Sequence, residues 1–365
     1  MTADSFDFVV KKDDLKSFAF LPAPAAEDID LADGEVVLKI DRFAFTANNV
    51  TYGVVGDRFS YWDFFPAAEE GRGRIPVWGF ADVVRSNCED VAVGQRFFGY
   101  LPMSSHLVVR PDKVTAAGFL DNIDHRQSLH PVYNTYILSA TDPVHVEGQD
   151  DYEMLMRPLY MTSWVIDDYL DDNDFFGAGT VILSSASSKT SFGLAFQLHQ
   201  NRREKCRVIG LTSPGNVAFV EGMGTYDQVV TYDNVTTLAS DEAVVFVDMA
   251  GNKAVRRAVH EQFGDNLKLS SMVGVSHWTA QGMEKDLPGP TPTMFFAPDQ
   301  FRKRSKDWGP EGVSSRFASA WRDLLQPLPN WLTVEAGNGL ADVERVYLET
   351  LEGRAKPDLG YVLSI

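Results

Sequence analysis

The spacing of apolar positions changes near residue 154. Before it, short stretches alternate apolar and polar residues, broken by Gly, Asp, Asn and Pro. Residues 35–40 follow an Asp33-Gly34 turn signal, and with 77–84, 95–100 and 106–109 they read as short strands. Such close spacing predicts a small barrel or sandwich. Beyond 154 the pattern alternates between helical and strand periods. A helix is predicted over 154–170, with Leu155, Leu159, Val165 and Tyr169 among its apolar positions. Strands are predicted over 180–184, 206–211, 227–231, 243–248 and 268–275, with 293–296 as a candidate sixth. Helices fall over 190–202, 215–223 and 252–263. This alternation predicts an α/β architecture with a doubly wound parallel sheet. The tail reads as a strand (WLTVEAG), a helix with Leu340, Val343, Val346, Tyr347 and Leu351 on one face, and a strand (YVLSI). Residues 113–153 fit neither pattern.

The segment TVILSSASSKTSFGLAFQL, residues 180–198, carries the most chemistry. Val181, Ile182 and Leu183 form a continuous run suited to a strand buried on both faces. Phe192, Ala195, Phe196 and His199 then recur at helical spacing. Free N–H groups and the dipole at a helix start attract phosphate. A dinucleotide-binding turn places glycines there so that backbone can approach the pyrophosphate. Here Ser188, Lys189 and Ser191 stand in their place. The hydroxyls of Ser187, Ser188, Thr190 and Ser191 offer donors, and Lys189 offers charge. A Walker motif is excluded, because the glycines of GxxxxGKS/T are absent. The competing reading is a plain strand–turn–helix crossover whose serines cap the helix.

At 365 residues the chain suits about two domains. Thirty-three basic against 51 acidic residues give a formal charge of −18. That balance disfavours nucleic acid, which is bound through clustered basic residues, and anionic membrane surfaces. Cys88 and Cys206 are the only cysteines and form no CxxC or Cys/His cluster, so no metal site is expected. His125, His130 and His145 lack metal-ligand spacing and read as ordinary histidines. The N-terminus has no basic start followed by an apolar stretch, and no run reaches the ~18 apolar residues of a membrane helix. A cytoplasmic protein is expected.

Ordered segments along nearly the whole chain resemble the medium-chain dehydrogenase/reductase superfamily, in its zinc-free quinone-oxidoreductase and enoyl-reductase branch. They are DGEVVLKIDRFAFTANNVTYG, PVWGFADVVRS with VGQRFFGY, PLYMTSWVIDDYL, GMGTYDQVVTYD, VVFVDMAG and GLADVERVYLETLEGRAKPDLGYVLSI. The resemblance implies a Rossmann-type domain over 156–297 and a β-rich, GroES-like barrel domain over 1–155 and 298–365. It departs from zinc-dependent members: Trp78-Gly79-Phe80 replaces Gly-His-Glu, and Thr46 and Ala47 occupy the catalytic cysteine region. The family's A-S-G-G-V-G turn reads here as Ala186-Ser187-Ser188-Lys189-Thr190-Ser191.

The resemblance also implies a cofactor set. Thr162 matches a threonine near the nicotinamide carboxamide. Ser187, Ser188, Lys189, Thr190 and Ser191 form the phosphate turn. Tyr232 is counted with the cofactor residues. Met249, Ala250 and Gly251 face the cofactor, with Gly274 and Val275 at the next strand end. The second strand, CRVIGL, ends in Thr212-Ser213-Pro214-Gly215-Asn216 without a carboxylate. An acid there would select NADH; small donors such as Thr212, Ser213 and Asn216 favour NADP(H). On the substrate side, Asn48, Asn49, Thr51 and Tyr52 match the family's loop. Tyr52 is the candidate donor to the substrate oxygen, with packing in the barrel wall as the alternative. Phe295, Phe296 and Trp278 are candidates for a pocket wall or for core. Tyr133, Asn134 and Tyr136 are further candidates, and 113–153 is read as a cap or dimer contact. The implied activity is hydride transfer from NADPH to a quinone or enone by a homodimer acting on a small molecule. The alternatives are a non-enzymatic ligand-binding member, or a metal-free carbonyl reductase using Tyr52 as acid.

Overall fold

The computed structural model describes residues 5–273 and 286–365. The chain divides into two compact units, Met1–Leu155 with Thr333–Ile365, and Met156–Leu332.

The first unit is built on a nine-stranded sheet. Its path runs Thr333–Asn338, Leu359–Ser364, Val36–Phe45, Pro76–Ser86, Arg96–Pro102, Thr135–Leu138, Gly118–Asp121 and Pro111–Thr115, and His106–Val109 pairs with Val36–Phe45. A three-stranded sheet joins Phe18–Pro22, Phe6–Lys11 and Arg72–Gly73. Alternation turns Val36, Leu38 and Ile40 into one core with Phe8, Phe43, Val77, Leu101 and Tyr347. The helix Gly339–Leu351 buries Val343, Val346 and Tyr347 on the face its period predicts. The segment 113–153, unplaced by its pattern, extends the sheet: Ile137 and Leu138 pair with Phe98 and Phe97, and Thr135–Ile137 pair with Gly118–Leu120.

The second unit holds a six-stranded sheet in the order Gln228–Thr231, Arg207–Thr212, Thr180–Leu183, Val244–Asp248, Leu267–Met272, Thr293–Met294. Every pairing is parallel. The order reverses beside the first strand in sequence, which sits at the sheet centre. Its residues Val181, Ile182 and Leu183 are fully buried, as are Val245, Phe246 and Val247, as their unbroken apolar runs require. The predicted helix over 215–223 is shorter: Pro214–Asn216 forms a 3₁₀ turn, and only Val217–Gly222 is α-helical.

Residues 298–332 were expected with the barrel. They group instead with the parallel-sheet unit. The reason is aromatic packing: the long helix Ala297–Leu325 brings Phe317 and Trp321 against Tyr160, and Phe317 against Trp164. That helix breaks at Gly309, whose φ of +73° precedes Pro310. A helix of 29 residues interrupted by Gly-Pro shows no clean period, so its partner could not be read locally. Gly274, Val275 and Trp278 lie outside the described residues. Among the described residues no helix is long and apolar enough to cross a membrane.

Candidate functional site

The central strand Thr180–Leu183 leads into a turn and then the helix Lys189–Asn201. Ser188 caps that helix, its hydroxyl accepting from the Ser191 amide at 3.3 Å. Ser191 is fully buried and donates its hydroxyl to the Ser184 carbonyl at 2.8 Å. The two hydroxyls also lie 3.1 Å apart. Ser188 and Ser191, expected as phosphate donors, are therefore engaged in shaping the turn. Ser187 accepts from the Asn216 side chain at 3.0 Å, which ties the turn to the end of the second strand. The amides of Ser187 and Thr190 have no internal partner among the described residues. Thr190 is an orphan donor of the helix start, and Ser187 lies in the turn just before the cap. Lys189, the first helical residue, is half-buried beside them.

Without glycines the turn keeps its shape by other means. Ser185 adopts φ +51°, a region glycine would enter without steric cost. Its amide donates to the Tyr232 hydroxyl at 3.1 Å. Tyr232, expected to face the cofactor, thus braces the turn. Tyr226 donates to the Ala186 carbonyl at 2.9 Å. The glycine that remains, Gly193, lets two helices approach: a Cβ there would lie 2.9 Å from Ser163 Oγ and 3.1 Å from the Tyr160 ring. Ser163 secures this contact by donating to the Thr190 carbonyl at 2.7 Å. Thr162, one residue earlier, hydrogen-bonds back to the Pro158 carbonyl of its own helix at 3.4 Å.

A buried carboxylate lies behind the turn. Asp248 ends the fourth strand and is fully buried. Its Oδ1 accepts from the Ser184 hydroxyl at 2.8 Å and the Gly251 amide at 3.0 Å, and its Oδ2 accepts from Arg256 Nε at 3.1 Å. The Ala250 amide donates to Ser184 Oγ at 2.9 Å. Met249, Ala250 and Gly251 are half-buried, and Gly251 takes φ +63°. Sequence reasoning missed Ser184, Asp248 and Arg256. The available signal was an acid closing the apolar run VVFVD. At the end of the second strand, Thr212 is fully buried and its hydroxyl has no partner among the described residues. Ser213 is half-buried, and the strand end carries no carboxylate.

In the first unit the predicted substrate loop is a helix, Ala47–Val54, closed by a capping box between Thr46 and Asn49. The two asparagines separate there. Asn49 is buried, accepts from the Thr46 amide at 2.7 Å and donates to the Pro76 carbonyl at 2.9 Å. Asn48, one turn before Tyr52, hydrogen-bonds the Tyr52 phenol. Thr51 bonds back to the Ala47 carbonyl at 3.3 Å.

Tyr52 sits in a cluster with Tyr61, Phe64, Phe65, Tyr100, Tyr133 and Trp78. Its ring lies 4.6 Å from Tyr61 and 5.5 Å from Tyr100, and its hydroxyl accepts from Trp78 Nε1 at 3.4 Å. Tyr61 and Tyr133 pair through their hydroxyls at 3.2 Å. Burial pushes the Tyr52 phenol well above its ordinary value, and Tyr61 adds to this; the hydrogen bonds of Trp78 and Asn48 oppose it. Tyr100 and Tyr133 are raised by the same cause. The Tyr100 hydroxyl is buried with no partner among the described residues.

Arg126 holds this region. It is fully buried and donates to Asp121 (2.9 Å), Tyr136 (2.9 Å), Asn134 (2.9 Å) and the Tyr133 carbonyl (2.6 Å). Its guanidinium lies 4.9 Å from the Phe65 ring centre. Tyr133, Asn134 and Tyr136 are thus brought together by a residue the sequence reading passed over. Of the histidines, His125 contacts the Phe64 carbonyl at 3.2 Å, His130 accepts from the Val132 amide at 3.4 Å, and His145 pairs with buried Glu153 at 2.8 Å. Among the described residues no group of three or more His, Cys, Asp or Glu side chains could hold a metal ion.

The family model described as "Protein of unknown function (DUF2855)" matches residues 43–356. No curated protein matches the chain. Solved structures share its fold over almost its full length. CurA from Vibrio vulnificus in complex with NADPH is 14% identical, with 98% of each chain covered and a TM-score of 0.57. The yhdH oxidoreductase from Salmonella enterica in complex with NADP is 12% identical, with 99% of each chain covered and a TM-score of 0.54. A mutant enoyl thioester reductase from Candida tropicalis is 11% identical, with 99% of each covered and a TM-score of 0.54. The fold is therefore a Rossmann-type parallel sheet joined to a β-rich, GroES-like unit.

Proposed function

The chain belongs to the DUF2855 family, and we propose that it is an NADPH-dependent reductase of an activated double bond, such as a quinone or enone. One observation carries this reading: a helix start follows the central strand of a parallel sheet and presents unpaired Ser187 and Thr190 amides beside Lys189. Those groups fit a pyrophosphate. Thr212, Ser213 and Asn216 suit a 2′-phosphate better than a bare ribose, because no acid repels it. Thr162, Met249, Ala250 and Gly251 complete the set, with Ser188, Ser191 and Tyr232 shaping the turn. The likeness to proteins solved with NADPH and NADP supports the same choice.

When bound, the dinucleotide supplies hydride. The protein's part is to bind, orient and donate. Tyr52 is a neutral phenol near pH 7, as the ordinary value near 10 requires, and burial disfavours its charged form further. It can therefore donate a hydrogen bond to a substrate carbonyl oxygen. Asn48 orients that phenol, and Thr51 supports the helix that carries both. Homodimerisation and a cytoplasmic location belong to the same reading; both cysteines are unpaired, which suits a reducing compartment.

A second reading rests on the inward-turned hydroxyls of Ser188 and Ser191: a member that keeps the fold as a ligand-binding protein. Titration with NADPH and NADH, followed by nicotinamide fluorescence, separates the two. The reductase reading expects NADPH to bind more tightly than NADH, with Lys189→Ala weakening it about tenfold, as for a lost charge-assisted contact. NADPH oxidation by an enone panel should follow. Absence of binding by either cofactor would leave the second reading in its place.

A further inference from the structure

Asp248 is the strongest feature that the proposed function does not use. It is a fully buried acid at the carboxyl end of a central strand. A carboxylate there is strongly disfavoured unless paired and hydrogen-bonded. It is both: Arg256 meets one oxygen at 3.1 Å, with side-chain exposures of 7% and 0% for the arginine and the acid. The other oxygen accepts from Ser184 at 2.8 Å and from the Gly251 amide at 3.0 Å. Ser184 accepts in turn from the Ala250 amide at 2.9 Å, and its carbonyl accepts from Ser191 at 2.8 Å.

These bonds join two loops that are distant in sequence. One is the serine turn after the first strand; the other is Met249–Gly251 after the fourth. The turn lacks the glycines that would let it settle around a phosphate by itself. Arg256 also removes the negative charge that would otherwise stand behind a phosphate site. We propose that Asp248 is a positioning residue that locks the serine turn and the 249–251 loop into one rigid frame for a dinucleotide, with Arg256 neutralising it. This rests on the cofactor reading above.

The test uses the full chain and the variants Asp248→Ala and Ser184→Ala. The second keeps the buried ion pair and removes only the bridging hydroxyl, so it reports even if the first unfolds. In cofactor-free protein, hydrogen exchange should accelerate together over residues 184–192 and 249–252, and not elsewhere. In titrations, NADPH affinity should fall about tenfold, as for loss of a hydrogen bond to a charged group. Adenosine 2′-monophosphate, which carries no phosphate at the 5′ position and lacks the nicotinamide half, should bind as to the unaltered chain. A merely structural role would weaken both ligands alike. Acceleration of one loop without the other, or equal loss of both ligands, would overturn the proposal. Failure of the unaltered chain to bind NADPH would sink the cofactor reading alone, and exchange would still decide the coupling.

Discussion

Each unit buries an arginine–aspartate pair beside its candidate chemistry, and the two pairs are wired in opposite senses. In the first unit the arginine is the hub. Arg126 donates to Asp121, Asn134, Tyr136 and the Tyr133 carbonyl, and rings stack against it. In the second unit the acid is the hub. Asp248 accepts from Ser184, Gly251 and Arg256. A guanidinium has several donors in a fixed plane and gathers carbonyls and phenols. A carboxylate has only acceptors and gathers amides and hydroxyls. The first arrangement positions aromatic rings; the second positions backbone N–H groups. Under the proposed function, the first region would contact substrate and the second phosphates.

The comparison predicts unequal damage. Arg126→Met leaves Asp121 buried without its counter-ion and strips four acceptors. It should cost about 3–5 kcal/mol in urea unfolding, the range for breaking a buried pair. A loss below about 1 kcal/mol would show that the hub is solvated in solution.

The phenols give the next effect, through pH. Burial raises the folded-state values of Tyr52, Tyr100 and Tyr133 above the ordinary value near 10. The folded form keeps protons that the unfolded chain releases above about pH 10. Their contribution is therefore fully present below that pH and is lost as pH rises through the folded values. The unfolding midpoint should fall on going from about pH 9 to 11, and the fall should shrink in Tyr133→Phe. Absorbance near 295 nm checks the ionisation itself; phenolate signal from these tyrosines in the folded state at pH 10 would contradict the burial.

The smallest effect belongs to the serine turn. Ser188→Ala removes the helix cap and should cost about 1 kcal/mol, with phosphate binding little altered because the Ser187 and Thr190 amides remain. A large loss of NADPH affinity in this variant, at unchanged unfolding midpoint, would make the Ser188 hydroxyl a direct phosphate ligand and erase the distinction between shaping and binding groups.

The apolar runs at 181–183 and 244–247 determined by themselves that two strands would be buried on both faces, and the alternation after 154 determined a parallel sheet. The period in 339–351 likewise determined which face that helix buries. These are local signals, because side-chain direction repeats every two residues in a strand and every 3.6 in a helix. Tertiary structure alone decided which polar groups would meet. Asn48 and Asn49 are neighbours of one residue type, yet one is buried in a cap and the other touches Tyr52. Ser184 and Asp248 stand 64 positions apart, and only strand order sets them at 2.8 Å. The helix 297–325 joins the parallel-sheet unit for the same reason: its aromatic partners, Tyr160 and Trp164, lie more than a hundred residues away. Periodicity specifies where a side chain points, but a hydrogen bond needs a partner within about 3 Å, and that is fixed only when distant strands and helices pack.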